Sequence, residues 1–259
     1  MIFRTAPARK RHRTPPVLPA DGPREPGVRP PTRRCIPVFL ACGIFATLPA
    51  TAADTTDPEA ILRAARMNPL GAPVSLDARL RSGREQTPFR IMVDGDVRYE
   101  FDDPEQTLIL SLDDEGSQLS ERNGGREQPV RPARFDERVR GTDISYEDLA
   151  LKFLYWDNPK IIGEETVRTR RAWKFEIQAP RGGLSQYGVA RLWIDCESGA
   201  LLRMEGYDMR GKLIRRFEVL SAQKIEGQWM LKSMRIESID PETRRVLSRT
   251  YLEVLGKSG

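Results

Sequence analysis

A period of two limits what this chain can become more than any other feature of its sequence. Leu76, Ala78 and Leu80 alternate with polar neighbours, as do Phe89, Ile91 and Val93, then Val97, Tyr99 and Phe101, then Leu108, Leu110 and Leu112. Such alternation puts the apolar side chains on one face of an extended strand and the polar ones on the other. Asp94-Gly95 is a hairpin signal between the second and third runs, and Asp113-Asp114-Glu115-Gly116 closes the fourth. These runs predict a β-meander.

The same period returns later. Trp173, Phe175 and Ile177 alternate; Val189 to Ile194 carries apolar residues of both parities; Leu202 and Met204 alternate with Arg203 and Glu205. Leu213, Phe217 and Val219 follow, then Met230, Met234 and Ile236, and finally Val246 to Leu255. Turn signals separate them at Ser198-Gly199, Arg210-Gly211, Glu226-Gly227 and Asp240-Pro241. The expectation is a mostly β (α+β) domain of about eleven antiparallel strands, curved because so wide a sheet curls.

Three segments break the period. Asp57 can cap a helix that Pro58 opens, with Ile61 and Ala65 one turn apart and Asn68-Pro69 ending it. Ser145 is the expected N-cap of a second helix, with Asp148 three residues on as in a capping box and Ile144 placed to staple to Leu149. Leu149, Phe153 and Trp156 fall on or near one face of that helix, which is expected to run about three turns to Asn158-Pro159. Both helices are expected to cover the concave face of the sheet. Asn123 to Asp136, rich in Gly, Pro and Arg and without a period, reads as an exposed loop.

Before Asp54 the chain is a different material. Nine Lys or Arg residues stand against two acids up to Ala53, so the remainder is close to neutral and the overall excess of base does not point to nucleic acid. Thr32-Arg33-Arg34, the apolar run Cys35 to Leu48 and the small residues Pro49 to Ala53 have the three parts of a signal peptide, of the Sec or the twin-arginine kind. Residues 1–53 are therefore expected to be a disordered lead and signal peptide, and 54–259 the working domain outside the cytoplasm. Cleavage after Ala52 or Ala53 would remove Cys35, Cys42 and the sole histidine, His12. One cysteine, Cys196, then remains, which excludes Ser/His and Cys/His nucleophilic pairs, zinc sites of the usual kind and an intramolecular disulfide. No enzymatic activity, metal or cofactor is expected.

The stretch Arg140-Gly141-Thr142-Asp143-Ile144-Ser145-Tyr146-Glu147-Asp148-Leu149 resembles the LolA/LolB-like superfamily of outer-membrane lipoprotein-sorting proteins. So do Trp193 to Arg203, Tyr207 to Lys212, and Lys224-Ile225-Glu226-Gly227-Gln228-Trp229. The resemblance spans essentially all of residues 54–259. It implies a half-open antiparallel β barrel in the periplasm whose hydrophobic cavity, lidded by helices, takes up acyl chains of lipoproteins or phospholipid. It also implies an inner-membrane transporter or an outer-membrane acceptor as partner. One departure stands out. The superfamily's carriers tie the lid shut with an arginine in the hairpin between strands two and three, and here that turn reads Val93-Asp94-Gly95-Asp96-Val97.

The residues expected to line such a cavity are Ile91, Tyr99, Phe101, Leu110, Leu149, Phe153, Trp173, Phe175, Met204 and Met234. Met230 belongs with them, because unbranched and aromatic side chains repack readily. The acidic pairs Asp102-Asp103, Asp113-Asp114 and Glu164-Glu165 read as turn residues. The basic clusters Arg168 to Arg171, Arg215-Arg216 and Arg244-Arg245 read as solvated strand-edge charge, or as contacts to anionic headgroups or an acidic partner. A sensor or protein-interaction module on the same fold is the alternative to a carrier.

Overall fold

In the computed structural model, which describes residues 57–67 and 73–258, every strand belongs to one open antiparallel sheet. Strands β1 (Val74–Ser82), β2 (Glu85–Asp94), β3 (Asp96–Phe101), β4 (Gln106–Leu112), β5 (Ser117–Asn123) and β6 (Arg126–Pro129) pair in chain order. So do β7 (Lys160–Val167), β8 (Arg170–Gln178), β9 (Val189–Asp195), β10 (Leu201–Tyr207), β11 (Leu213–Ile225), β12 (Gln228–Ile239) and β13 (Val246–Lys257). The two meanders join where β1 pairs with β13, which leaves β6 and β7 as the two free edges. This is the half-open barrel, with thirteen strands rather than eleven.

Three strands, β5, β6 and β7, lie outside the alternating runs of the sequence, and the last two have physical causes. Gly124 and Gly125, both at positive φ, turn β5 into β6 inside the stretch expected to be loop, and β6 is exposed along its whole length and so carries no burial pattern. β7 is exposed at all but two of its eight positions, again because an edge strand needs no apolar face.

Topology explains the lid. The segment between β6 and β7 must travel from one sheet edge to the other. Twelve strand spacings would separate those edges by about 58 Å in a flat sheet, and curling of the sheet shortens the path across its concave side. That crossing contains the Gly-Thr-Asp stretch. The helix expected there is broken: α2 spans only Tyr146–Ala150, Leu151 adopts the left-handed conformation (φ 50°, ψ 26°), and a 3-10 turn, Lys152–Tyr155, follows. The capping box is present as expected, with Asp148 N–H donating to Ser145 Oγ (3.2 Å) and Ser145 N–H to Asp148 Oδ2 (2.8 Å).

Helix α1 (Pro58–Met67) lies beside this turn: Arg66 Nε donates to the Leu154 carbonyl (2.8 Å), and its guanidinium stacks 4.7 Å from the Tyr155 ring centre. Asp57 caps α1 through the Glu59 N–H, as the sequence predicts, whereas the expected stop at Asn68-Pro69 and the expected signal peptide lie outside the described residues.

Successive residues of each strand face opposite sides, and the two sides differ. Inward residues such as Leu108, Leu110, Phe175, Leu192 and Met204 merge into one apolar cluster with the lid. Outward, a row of alternating charge crosses six strands in register: Glu176, Arg191, Glu205, Arg216, Glu237 and Arg249. Opposite charges across neighbouring strands stabilise pairing and penalise a register slip. The mixed parity of β9 is thereby explained: Trp193 lies on the outer face with Val167 and Ala172, covered by Lys174 and Arg203 at 5.1 and 5.3 Å from its ring.

Candidate functional site

All ten residues expected to line a cavity meet in or against the inner cluster. Ile91, Phe101, Leu110, Phe153, Phe175 and Met204 are buried; Tyr99, Leu149, Trp173 and Met234 are half-buried and pack on them. Phe89 joins them, stacked on Phe101 at 5.1 Å and tilted toward Tyr99 at 6.4 Å. Burial pushes the Tyr99 hydroxyl up to about 12. Phe153, Phe175 and Met204 show no surface that water can reach, so no void of water size adjoins them in this conformation. Space for a ligand on this face would require the lid to move or these side chains to repack.

What fastens the lid is polar and was not legible as such from the sequence. Asp143 is enclosed by hydroxyls from two strands: Ser238 Oγ (2.5 Å) on β12, and Ser248 Oγ and Thr250 Oγ1 (3.0 Å) on β13. Its own N–H donates to Thr250 Oγ1 (2.9 Å), and Arg138 adds an ion pair at 3.1 Å. Arg215 on β11, only 7% exposed, donates through Nη1 to the Asp143 carbonyl (2.5 Å) and to Ser238 Oγ (2.6 Å). Its Nε faces Asp148 Oδ2 at 3.6 Å without a hydrogen bond. Tyr187, fully buried, donates its hydroxyl to Asp148 Oδ1 (2.5 Å). Glu147 receives hydrogen bonds from Ser185 Oγ and from the Gln186 N–H (2.9 Å).

The three buried carboxylates have different partners, Arg138 and three hydroxyls at Asp143, Arg215 and Tyr187 at Asp148, Ser185 and Gln186 at Glu147, and their proton affinities separate accordingly. Burial alone would raise Asp143, yet its three hydroxyl donors and Arg138 hold it below the ordinary range. Burial dominates at Glu147 and Asp148, and both are raised despite their donors. A second tie lies beside the β6 edge of the sheet, where Glu121 on β5 accepts from Arg134 (2.7 Å), Gln106 (2.5 Å) and the Tyr146 hydroxyl (3.0 Å).

Arg215 corrects the expectation that the Arg215-Arg216 pair is solvated edge charge or a headgroup contact. It occupies an inward position of β11 two residues before Phe217, where the sequence offers no apolar residue, and this gap was its signal. Gly206 was the signal for Tyr187: a Cβ there would stand 2.3 Å from the tyrosine ring, and a glycine inside a strand often marks such a close approach. Arg168, Arg170 and Arg171 are engaged by Glu218, Asp195 with Glu197, and Glu164 respectively, and so serve the outer face. Asp113 is the turn residue expected, accepting from the Glu115 and Gly116 N–H groups (2.8 and 2.7 Å).

A wide antiparallel half barrel whose apolar inner face is crossed by a tied lid defines a class of fold. Crystal structures sharing it include a LolA superfamily protein from Nitrosomonas europaea, 16% identical with a TM-score of 0.54, over 76% of this chain and 90% of that one. A domain from Vibrio parahaemolyticus described as an outer membrane lipoprotein-sorting protein is 17% identical with a TM-score of 0.61, over 76% and 88%. A DUF1329 family protein from Desulfovibrio piger is 19% identical with a TM-score of 0.58, over 77% and 92%. This chain has the LolA-like fold. A family described only as "Uncharacterized protein" matches residues 126–254, and no curated protein matches the sequence.

Proposed function

We propose that this chain is an exported, non-enzymatic carrier that holds an acyl chain of a lipoprotein or phospholipid against the inner face of the half barrel. Outer-membrane lipoprotein sorting is its process, with an inner-membrane transporter as donor or an outer-membrane acceptor as recipient. The observation that carries the reading is the contrast between contents and fastening: the apolar residues of the inner face form one cluster, and its cover is tied by polar contacts to the strands beneath. Each methylene withdrawn from water is worth about 0.8 kcal/mol, so a cavity for a long chain must be dry, and its lid must open without dismantling the sheet. Leu149, Phe153 and Met204 would yield to the chain, while Asp143 and Arg215 would set when the lid lets go. The sharing of fold with a lipoprotein-sorting domain supports the same reading.

Native mass spectrometry of gently extracted protein should find phospholipid or acylated peptide bound to a chain beginning near Asp54, and apolar dyes should compete with it. Leu149→Asp, at a half-buried position, should abolish uptake while shifting the melting temperature little. A wild-type protein with no bound lipid and no dye uptake, beside a Leu149→Asp variant whose only defect is stability, would overturn the carrier and favour the interaction module.

A further inference from the structure

The four tryptophans of this chain sit in different surroundings. Trp156 and Trp193 are buried and Trp173 is half-buried, whereas Trp229 is 72% exposed at the tip of the β11–β12 hairpin. β12 pairs with β13 only from Ser233 onward. Nearer the tip the hairpin instead contacts β13 from β11, where Gln223 Nε2 donates to the Val254 carbonyl (3.2 Å) and Lys257 reaches Glu226 (2.5 Å). Leu255, on the same end of β13, is 57% exposed. Lys224 lies 5.7 Å from the Trp229 ring centre, and Lys232 and Lys257 are exposed nearby. Within residues 223–233 and 254–258 the only acid is Glu226, against Lys224, Lys232 and Lys257, so these two segments carry a net positive charge.

Beside the tip is a crevice of about 110 Å³ lined by Pro73, Val74, Ile225, Glu226, Gln228 and Met230. Val74, Ile225 and Met230 also pack against the inner cluster, so the crevice is a rim of the apolar face. Ten residues of β11, roughly 30 Å of strand, separate it from Arg215 and the lid's polar tie. An exposed indole flanked by lysines suits one surroundings better than water: the interface of a bilayer, where the ring enters the headgroup layer and the lysine stems lie along it.

We propose that the β11–β12 tip docks on an anionic phospholipid surface, seating Trp229 and Leu255 in the interface and turning the crevice toward the membrane that supplies or receives the acyl chain. The docking has its purpose from the carrier reading, but it is tested separately. The protein as the cell processes it is mixed with vesicles of phosphatidylcholine alone or with phosphatidylglycerol. Binding is read by co-sedimentation and by quenching of tryptophan emission with brominated acyl chains.

Binding to the anionic vesicles should weaken roughly 25-fold in Lys224→Ala/Lys232→Ala, at about fivefold per lysine. It should weaken about tenfold in Trp229→Ala, from the lost ring burial. Both variants should keep the wild-type melt and dye uptake, and quenching should vanish in Trp229→Phe. Equal binding by wild type and variants, or loss caused instead by Leu184→Ser/Met209→Ser among the exposed apolar residues elsewhere, would overturn the docking surface. Wild-type protein that takes up no dye would sink the carrier, and the vesicle measurement would still decide the docking.

Discussion

Arg215 and Arg216 are neighbours on β11 and opposites in setting. Arg215 points inward, is buried, and holds the lid through the Asp143 carbonyl and Ser238, with Asp148 at 3.6 Å. Arg216 points outward and joins Glu205 (3.0 Å) and Glu237 (3.5 Å) in the row of alternating charge. The inner set has few members and no spare: each carboxylate depends on particular donors. The outer set is redundant, because Glu237 also meets Arg249 at 2.8 Å and Arg235 at 3.4 Å. The outer face therefore fixes the register of the sheet, and the inner face can act as a switchable fastening.

The comparison breaks or holds most visibly in two alanine variants. Arg215→Ala leaves Asp148 and the Asp143 carbonyl buried without their cation, which should cost about 3–5 kcal/mol. Arg216→Ala removes one of three cations around Glu237 and should cost about 1 kcal/mol or less. Urea unfolding of the two side by side is the measurement, and equal losses would erase the distinction between the faces. Gly206→Ala comes next. Its Cβ would meet the Tyr187 ring at 2.3 Å and push the tyrosine off Asp148, and overpacking of this kind costs about 1–3 kcal/mol. A variant as stable as wild type would show that the ring moves freely and that Tyr187 is not part of the tie.

How far the sequence revealed this division follows from what each face writes into it. Period-two alternation is produced by a half-buried strand, so the inner face was legible residue by residue: every expected cavity residue lies in the inner cluster or against it. The capping box was legible because it is local, three residues from end to end. Edge strands β6 and β7 were illegible because neither face of an edge strand has to be apolar. The polar tie was illegible for another reason. Asp143 meets Ser238, Ser248 and Thr250 from about a hundred residues away, and Arg215 from 72 away, and no spacing rule connects such positions. Only the empty inward place on β11 and the glycine in β10 hinted that something large and polar was received there.

Acidity should separate the members of the tie from one another. Glu147 has its proton affinity raised by burial, so its contribution is fully present below the unfolded glutamate value, roughly pH 4, and is lost as pH rises through its folded value. Asp148 follows the same sign. Asp143 is lowered, so its contribution is present above the unfolded aspartate value and is lost as pH falls through its folded one. Amide exchange across residues 139–156, corrected for intrinsic rate, should therefore show the lid better protected in weak acid than at neutral pH. Glu147→Gln should flatten the neutral-side loss and leave the acid-side loss unchanged. Protection that rises steadily toward neutral pH would mean that Asp143 alone governs the lid.

The smallest effect is the one that best isolates location from charge. Exposed ion pairs are screened by salt, and buried ones much less, because the screening length falls from ~10 Å at 0.1 M to ~3 Å at 1 M. Arg216 and Arg249 are partly open to solvent, whereas Arg215 and the carboxylates it faces are enclosed. Raising salt to about 1 M should remove most of the difference between Arg216→Ala and wild type, a change of about 0.5 kcal/mol. The Arg215→Ala deficit should persist, since no ion reaches the space between β11 and the lid. A parallel loss of both deficits would place Arg215 in contact with bulk solvent, and the lid would then be open in solution for much of the time.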